Sequence, residues 1–285
     1  MATRYLGIDV GGTNVKMGIV EAETGKMTDF YSHNTGKWRE SGHFIDRLGD
    51  AISIQLKENP EVEKIGIGVP GTVDQLTGVV YDIQNLPAWK KVALKEIIEE
   101  KYCLPVSINN DANCFALGEK IFGKGKSYEN FIGLSIGTGI GAGIIINNKL
   151  YCGNLCGAGE IAMLPYKDGI LEDYTGSFFF SNKHNITVKE LSEKAKKGDK
   201  NALSLFNKFG MHVGEAIKTI LYMYAPEAII IGGSISKSYP LFQDSIELSL
   251  LSFAYQKQIQ KLKIEISNQT GIAILGAASL CLQHP

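Results

Sequence analysis

"YLGIDVGGTNVKMGIV", residues 5–20, decides how the rest of the chain is read. An apolar strand carries one carboxylate, Asp9, into a glycine pair, and a second apolar strand leaves it. Residues 131–146, "FIGLSIGTGIGAGIII", repeat the plan: an aromatic start, a Gly two positions on, an apolar strand and a Gly-rich turn. With Tyr5 aligned on Phe131, Asp9 falls opposite Ser135. One supersecondary unit used twice implies two related α/β halves. Chance likeness between Gly-punctuated strands is the competing reading.

The segments around these hairpins alternate. "EKIGIGVPGTVD" (63–74) reads as a buried strand ending in a Pro-Gly turn, and "KEIIEEKYCLPVSIN" (95–109) as a helix tail and a strand. Residues 187–224 read as helical, with Val213, Ile217, Ile220, Leu221 and Tyr224 on one face and Pro226 as the stop. "AIIIGGSISKS" (228–238) reads as a strand, a Gly-Gly turn and a polar helix entry. "KIEIS" is a strand, and "GIAILGAASLCLQ" a small-residue helix. Strands alternating with helices predict α/β layers. No linker separates the halves. The repeat places a smaller N-terminal domain at 1–113, joined by the C-terminal helix at about 273–285, and a larger domain at 114–272.

Composition narrows the function classes. The chain has 285 residues, 44% hydrophobic and 21% charged, with 29 basic and 30 acidic side chains. A net charge of -1 leaves no electrostatic footprint for nucleic acid or an anionic membrane. No apolar run approaches the roughly 20 residues of a membrane span, and the N-terminus lacks a signal-peptide core. Five cysteines without framework spacing read as reduced thiols in a cytoplasm. Cys152 and Cys156 have no second ligand pair nearby, which argues against zinc there.

Three turns share a design in which an apolar strand delivers glycines to its end: "DVGGTN" (9–14), "GTGIGAG" (137–143) and "GGSIS" (232–236). Glycines let backbone N–H groups approach a phosphate closely, and Thr13 and Thr138 add hydroxyl donors. A carboxylate such as Asp9 beside a phosphate implies Mg²⁺, because bare anions repel. Residues 137–142 formally match the dinucleotide pattern G-x-G-x-x-G/A. That pattern needs a helix next, whereas "GIIINNKLY" continues as a strand and an Asn-Asn turn. No G-x-x-x-x-G-K-[ST] loop is present. The bland alternative is that the glycines only make tight hairpins. Three turns with matching hydroxyls favour nucleotide phosphates.

"INNDANCFALGE" (108–119) places Asp111 among amides where a strand meets a helix. Either Asn110 or Asp111 could simply cap that helix. Asn110 and Asn113, however, put further polar groups at the same strand end, where open α/β sheets bind ligands. In phosphoryl transfer to an alcohol, a positioned Asp accepts the hydroxyl proton. Glu160 and Glu172, in "CGAGEIAMLPYKDGILEDY" (156–174), could pair with sugar hydroxyls or be solvated loop acids. "NLPAW" (85–89) offers Asn85 as a donor; Trp89 reads as core before ligand wall.

At these residues the chain resembles the ROK family (repressor, open reading frame, kinase) of bacterial sugar kinases and repressors. The pieces "DVGGTN", "GVPGTVD", "NLPAW", "NNDANCFALGE", "GTGIGAGIIINNKLY", "GAGE" and "IIIGGSIS" occur in family order across essentially the whole chain. The resemblance implies an actin-like, hexokinase-like (ribonuclease H-like) duplicated α/β fold whose two domains close on ATP and a sugar. It implies transfer of the γ-phosphoryl group to a hydroxyl, the primary 6-hydroxyl, of glucose or a related hexose or hexoside. Carried over, Asp111 is the catalytic base. Gly71, Asn85, Asn110, Glu160 and Glu172 join it as sugar-binding positions. Gly11, Gly12, Thr13, Asn14 and Lys16 form the first ATP loop, Thr138 and Gly139 the second, and Gly232, Gly233 and Ser234 the adenosine turn. Asp9 is implied to organise Mg²⁺ through water. A homodimer in the cytoplasm is the family expectation.

Two departures stand out. Family members commonly carry His three residues after the Glu of "GAGE", where this chain has Met163. They commonly carry C-x-C-G-x-x-G-C-x-E, where this chain has "YKDGILED", with Gly169 and Glu172 kept and no cysteine. Losing the shared His and the cysteines together predicts no structural zinc. It also opens the acceptor to an aryl or alkyl glucoside, a disaccharide or another hexose. The repressor branch has a helix-turn-helix ahead of a strand that here starts near residue 5, so the kinase branch is expected. A non-catalytic sugar sensor and a polyphosphate-dependent glucokinase are the alternatives.

Overall fold

The two Gly-rich stretches fold as two equivalent hairpins, each at the centre of a five-stranded sheet. The computed structural model describes residues 2–11, 13–36, 38, 43–81, 83 and 89–283. The sites expected at Gly12 and Asn85 lie outside the described residues.

In chain order the first part contains β1 (Arg4–Val10), β2 (Asn14–Glu21) and β3 (Met27–Asn34), then α1 (Phe44–Glu58) and β4 (Val62–Val69). A small ribbon follows, β5 (Thr72–Asp74), β6 (Val79–Tyr81) and β7 (Lys91–Ala93), then α2 (Leu94–Tyr102), β8 (Val106–Asn110) and α3 (Asp111–Ile121). The second part contains β9 (Phe131–Ile136), β10 (Ile140–Ile146) and β11 (Lys149–Tyr151). After it come a two-stranded ribbon, β12 (Pro165–Tyr166) with β13 (Gly169–Ile170), and α4 (Glu172–Thr175), α5 (Phe178–His184), α6 (Val188–Lys196) and α7 (Lys200–Tyr224). β14 (Ala228–Gly232), α8 (Gln243–Leu250), α9 (Gln256–Lys261), β15 (Lys263–Ile266) and α10 (Ile272–Gln283) complete it.

The large sheets run β3-β2-β1-β4-β8 and β11-β10-β9-β14-β15. In the first, β1–β2 and β2–β3 are antiparallel while β1–β4 and β4–β8 are parallel. The second repeats this with antiparallel β10–β11 and parallel β9–β14 and β14–β15. The duplication read from residues 5–20 and 131–146 therefore extends to whole sheets. The Asn-Asn turn also forms, with Asn147 and Asn148 at φ 51° and 65°, the left-handed pair a two-residue hairpin requires.

By contact density the chain divides into residues 1–129, 143–158 and 269–285 as one unit and 130–142 and 159–268 as the other. In the first unit α3 is buried along nearly its whole length, so it sits in the interior as a core helix. It packs on α10, where Gly118 faces the Ile272 carbonyl and Gly276 the Cys114 carbonyl so closely that neither could carry a Cβ. Trp38 stacks on His33, Phe44 meets Trp38 edge-on, and Trp89 meets Phe44 edge-on at 5.3 Å; Trp89 is core, as its composition predicts.

Two elements differ from expectation. The helical stretch 187–224 is two helices, because Gly198 takes φ 84° and Asp199 caps a new helix by accepting from Ala202 N at 2.8 Å. The entry after "GGSIS" is a run of 3₁₀ turns, Ser234–Leu241, before α8 begins. Pro240 lies inside that run and cannot donate to an α-helical ladder. Among the described residues no helix is long and apolar enough to cross a membrane.

Candidate functional site

In the first unit the parallel register aligns the candidate residues. Asp9 on β1 lies opposite Gly68 on β4, and Gly68 opposite Asn109 on β8. Asp9, Gly68 and Asn109 thus stand at one level of three adjacent strands, just before the strands end. Asp9 also pairs across the hairpin with Lys16, whose Nζ lies 3.9 Å from its Oδ2. Burial holds the Asp9 carboxyl above the ordinary range, and the Lys16 charge offsets this only in part. The turn beyond is closed by Gly11 N–H donating to the Asn14 carbonyl at 2.9 Å. Thr13 is exposed, and its carbonyl accepts from Thr35 N at 2.9 Å.

The strand end of β8 resolves the cap question. Asn110 is the cap: its Oδ1 accepts from Ala112 N at 2.9 Å and from Asn113 N at 3.4 Å. Its Nδ2 donates to the Gly71 carbonyl at 3.1 Å, where Gly71 takes φ 92°. Asp111 is therefore the first helical residue, and its Oδ1 shares the Ala112 N–H with the cap, accepting from it at 2.9 Å. Its position is at the N-terminus of α3, the positive end of the helix dipole. Burial first, and then the Asp111 and Asp9 charges, raise the buried Cys114 thiol.

Sequence reading passed over Asn109. It is fully buried; its Oδ1 accepts from Asn110 N at 2.8 Å and Asn113 Nδ2 at 2.9 Å, and its Nδ2 donates to Cys152 Sγ at 3.3 Å. Two amides in succession, with a third at position 113, could have drawn attention to it. The partner forty-three residues on could not have been read from the sequence.

The second unit gathers the other candidates. Gly137 N donates to the Gly139 carbonyl at 2.9 Å, and the Gly137 and Thr138 carbonyls accept from Ser177 N at 2.9 and 3.0 Å. Thr138 itself is exposed. Because β9 and β14 are parallel neighbours, Gly232 lies opposite Ser135, and the "GGSIS" turn sits beside the "GTG" turn. A Cβ on Gly137 would lie 3.5 Å from Ser234 Oγ. Gly233 takes φ 85° with its Cα against the Ile136 backbone. Its carbonyl accepts from Ser236 Oγ at 2.8 Å.

Glu172 begins α4, and its Oε2 accepts from Ile140 N at 3.3 Å, which ties it to the second Gly-rich turn. Burial raises Glu172 while the Ile140 N–H lowers it; burial first and then the Glu172 charge raise Glu160. The two acids share one electrostatic environment. Met163 ends a 3₁₀ turn with 47% of its surface exposed. "YKDGILED" forms the β12–β13 hairpin and the start of α4. Ile170 N donates to Asp173 Oδ2 at 3.0 Å, and Tyr166 Oη meets His212 Nδ1 at 2.9 Å with Tyr174 edge-on to both rings. Hydrogen bonds and ring packing hold this segment. Among the described residues no group of three or more His, Cys, Asp or Glu could share one metal ion.

Paired sheets of this order, with Gly turns at the strand ends, define the actin-like, hexokinase-like class. A ROK family glucokinase from Streptomyces griseus, solved with glucose and AMPPNP, superposes with a TM-score of 0.86 at 27% identity, covering 98% of this chain and 99% of that one. The glucokinase of Halalkalibacterium halodurans is 30% identical over 269 residues, 82% of this chain and 81% of that protein. The xylose repressor of Bacillus subtilis is 30% identical over 298 residues, 98% of this chain and 77% of that protein. The ROK family model matches residues 5–169 and 167–284. The chain belongs to the ROK family.

Proposed function

We propose that this chain is an ATP- and Mg²⁺-dependent kinase that transfers a phosphoryl group to a primary hydroxyl of a hexose or hexoside. The observation that carries this is the division of labour at the end of β8. Asn110 caps α3, and the Asp111 carboxylate stands next to it at the positive helix end, at the strand ends where Asp9 also stands. A bare cap would need only one of these residues.

Asp111 accepts the proton of the sugar hydroxyl as that oxygen bonds to phosphorus, a form of base catalysis worth roughly 10²–10⁴ in rate. Asn110 and Gly71 set the height of that carboxylate relative to the sheet. Glu160 and Glu172 accept hydrogen bonds from sugar hydroxyls, and partial burial strengthens such bonds. Gly11, Thr13, Asn14 and Lys16 offer donors to phosphate at the first hairpin, and Thr138 and Gly139 at the second. Gly232, Gly233 and Ser234 form a side-chain-poor shelf for adenosine. Asp9 fits Mg²⁺ as an oxygen ligand, directly or through water, because its carboxyl is buried and Lys16 Nζ, 3.9 Å away, is the one cation acting on it among the described residues. Bound Mg²⁺ neutralises phosphate charge. Met163, in place of a hydrogen-bonding side chain, leaves a thioether wall that tolerates an apolar aglycone.

ADP release with Mg-ATP across glucose, mannose, allose, N-acetylmannosamine, cellobiose and alkyl glucosides tests the proposal. Turnover on one group, lost at least 100-fold in Asp111→Asn with unfolding unchanged, is the expected result, on the order set by base catalysis. Near-normal turnover in that variant would overturn the role of Asp111. The likeness to a xylose repressor supports a second reading, a sugar sensor. Tight sugar binding without ATP consumption on any sugar would support it.

A further inference from the structure

We propose that Cys152 and Cys156 form a reversible dithiol–disulfide pair, a modification site in the loop that follows β11, with Cys152 the attacking thiol and Cys156 the resolving one. Neither residue has a part in the phosphoryl-transfer reading, and the inference stands whether or not that reading holds.

The geometry starts from the loop. Gly153, Leu155 and Cys156 take φ 66°, 50° and 54°. Two consecutive non-glycine residues in the left-handed region are unusual, since Cβ crowds the carbonyl there. The turn is tied by Gly157 N donating to the Asn154 carbonyl at 2.9 Å and Ala158 N to the Cys152 carbonyl at 3.0 Å. This conformation folds Cys156 back so that its thiol donates a hydrogen bond to the Cys152 sulfur. The Cys152 sulfur receives a second donor, Asn109 Nδ2, at 3.3 Å. Asn109 is fully buried and oriented by its bonds to Asn110 N and Asn113 Nδ2. Two convergent donors on one sulfur stabilise a thiolate.

The electrostatics agree. The Cys156 bond, helped by Asn109 and opposed by burial, lowers Cys152 to about 7, while donating that bond and burial raise Cys156. Cys152 is half-buried between exposed Tyr151 and Leu155, whereas Cys156 is 2% exposed. One sulfur is reachable and activated; the other is protected and held against it. The remaining thiols differ: Cys114 and Cys281 are buried and raised, and Cys103 is exposed.

The chemistry balances with a peroxide as oxidant. The Cys152 thiolate attacks one peroxide oxygen, the O–O bond breaks, and the leaving alkoxide or hydroxide takes a proton. Cys152 becomes a sulfenic acid. The Cys156 sulfur then attacks the Cys152 sulfur and expels hydroxide, which leaves as water with the Cys156 proton. The pair loses two electrons and two hydrogens, and an external thiol restores both.

The test uses the full chain at pH 7. Before oxidation, Cys152 should react with iodoacetamide about 3-fold faster than the cysteine of an unstructured peptide: a thiolate fraction about 15-fold higher, cut about 5-fold by lower nucleophilicity. After hydrogen peroxide, denaturing alkylation and digestion, the peptide spanning both residues should be unalkylated and lighter by two hydrogens. Cys103 should stay alkylated, and dithiothreitol should reverse the change. In Cys156→Ser, Cys152 should instead be captured by dimedone as the sulfenic acid. Full alkylation of both residues after peroxide would overturn the proposal. So would a Cys152 rate below that of the cysteine in an unstructured peptide, a measurement that needs no variant.

Discussion

Asn110 performs two tasks with one amide, and substitution separates them. Asn110→Ala removes the acceptor for Ala112 N and Asn113 N and the donor to the Gly71 carbonyl. Losing an N-cap costs about 1 kcal/mol. The Gly71 carbonyl is half-buried, so losing its donor costs about 1 kcal/mol, the low end for an unsatisfied group. The total is about 2 kcal/mol. For a unit of this size that is a fall of roughly 4–8 °C in melting temperature. Asn110→Ser keeps a capping oxygen and gives up only the Gly71 bond, so it should cost about half as much. Urea and thermal unfolding of the three proteins measure this, and turnover reports whether Asp111 has moved with the helix end. Ser costing as much as Ala would refute the cap, and Ala unfolding like the wild type would refute both tasks.

Gly233→Ala asks a side chain to enter a backbone at φ 85° and ψ 178°, with Ile136 N 2.8 Å from the new Cβ. That region is essentially reserved for glycine, so unfolding free energy should drop by at least about 2 kcal/mol. Calorimetry with an ATP analogue should show weaker binding, and unchanged stability and affinity would refute the shelf. His212 gives a pH signature. Burial, then the Lys167 and Lys183 charges, lowers it from 6.5 to about 4, with Glu215 opposing. The folded chain binds this proton more weakly than the unfolded chain. Stability from this group is therefore full above pH 6.5 and lost as pH falls toward about 4. Melting temperature followed over that range should fall less steeply in His212→Gln, which keeps an acceptor for Tyr166 Oη; equal slopes would refute the assignment.

Local chemistry made much of this protein legible from its residues alone. The duplicated hairpin could be read because alternating burial and Gly punctuation are written into consecutive residues, and the Asn147–Asn148 turn because its dipeptide selects one geometry. Asp111 and its amide neighbours stood out because a strand end and a helix start are both local signals. Tertiary structure decided the rest. Whether Asn110 or Asp111 capped α3 depended on which side chain the Gly71 carbonyl engaged, a contact thirty-nine residues away. Glu172 met the Ile140 N–H across thirty-two residues, so its tie to the second Gly-rich turn was invisible in the chain. In the sequence Cys152 and Cys156 read as ordinary reduced thiols without a second ligand pair; the left-handed loop that holds Cys156 and the Asn109 amide that β8 brings to Cys152 are set by the fold. Sequence carries preferences that act over a few residues. Hydrogen-bond partners and desolvation are set by which distant strands the packed sheet brings side by side.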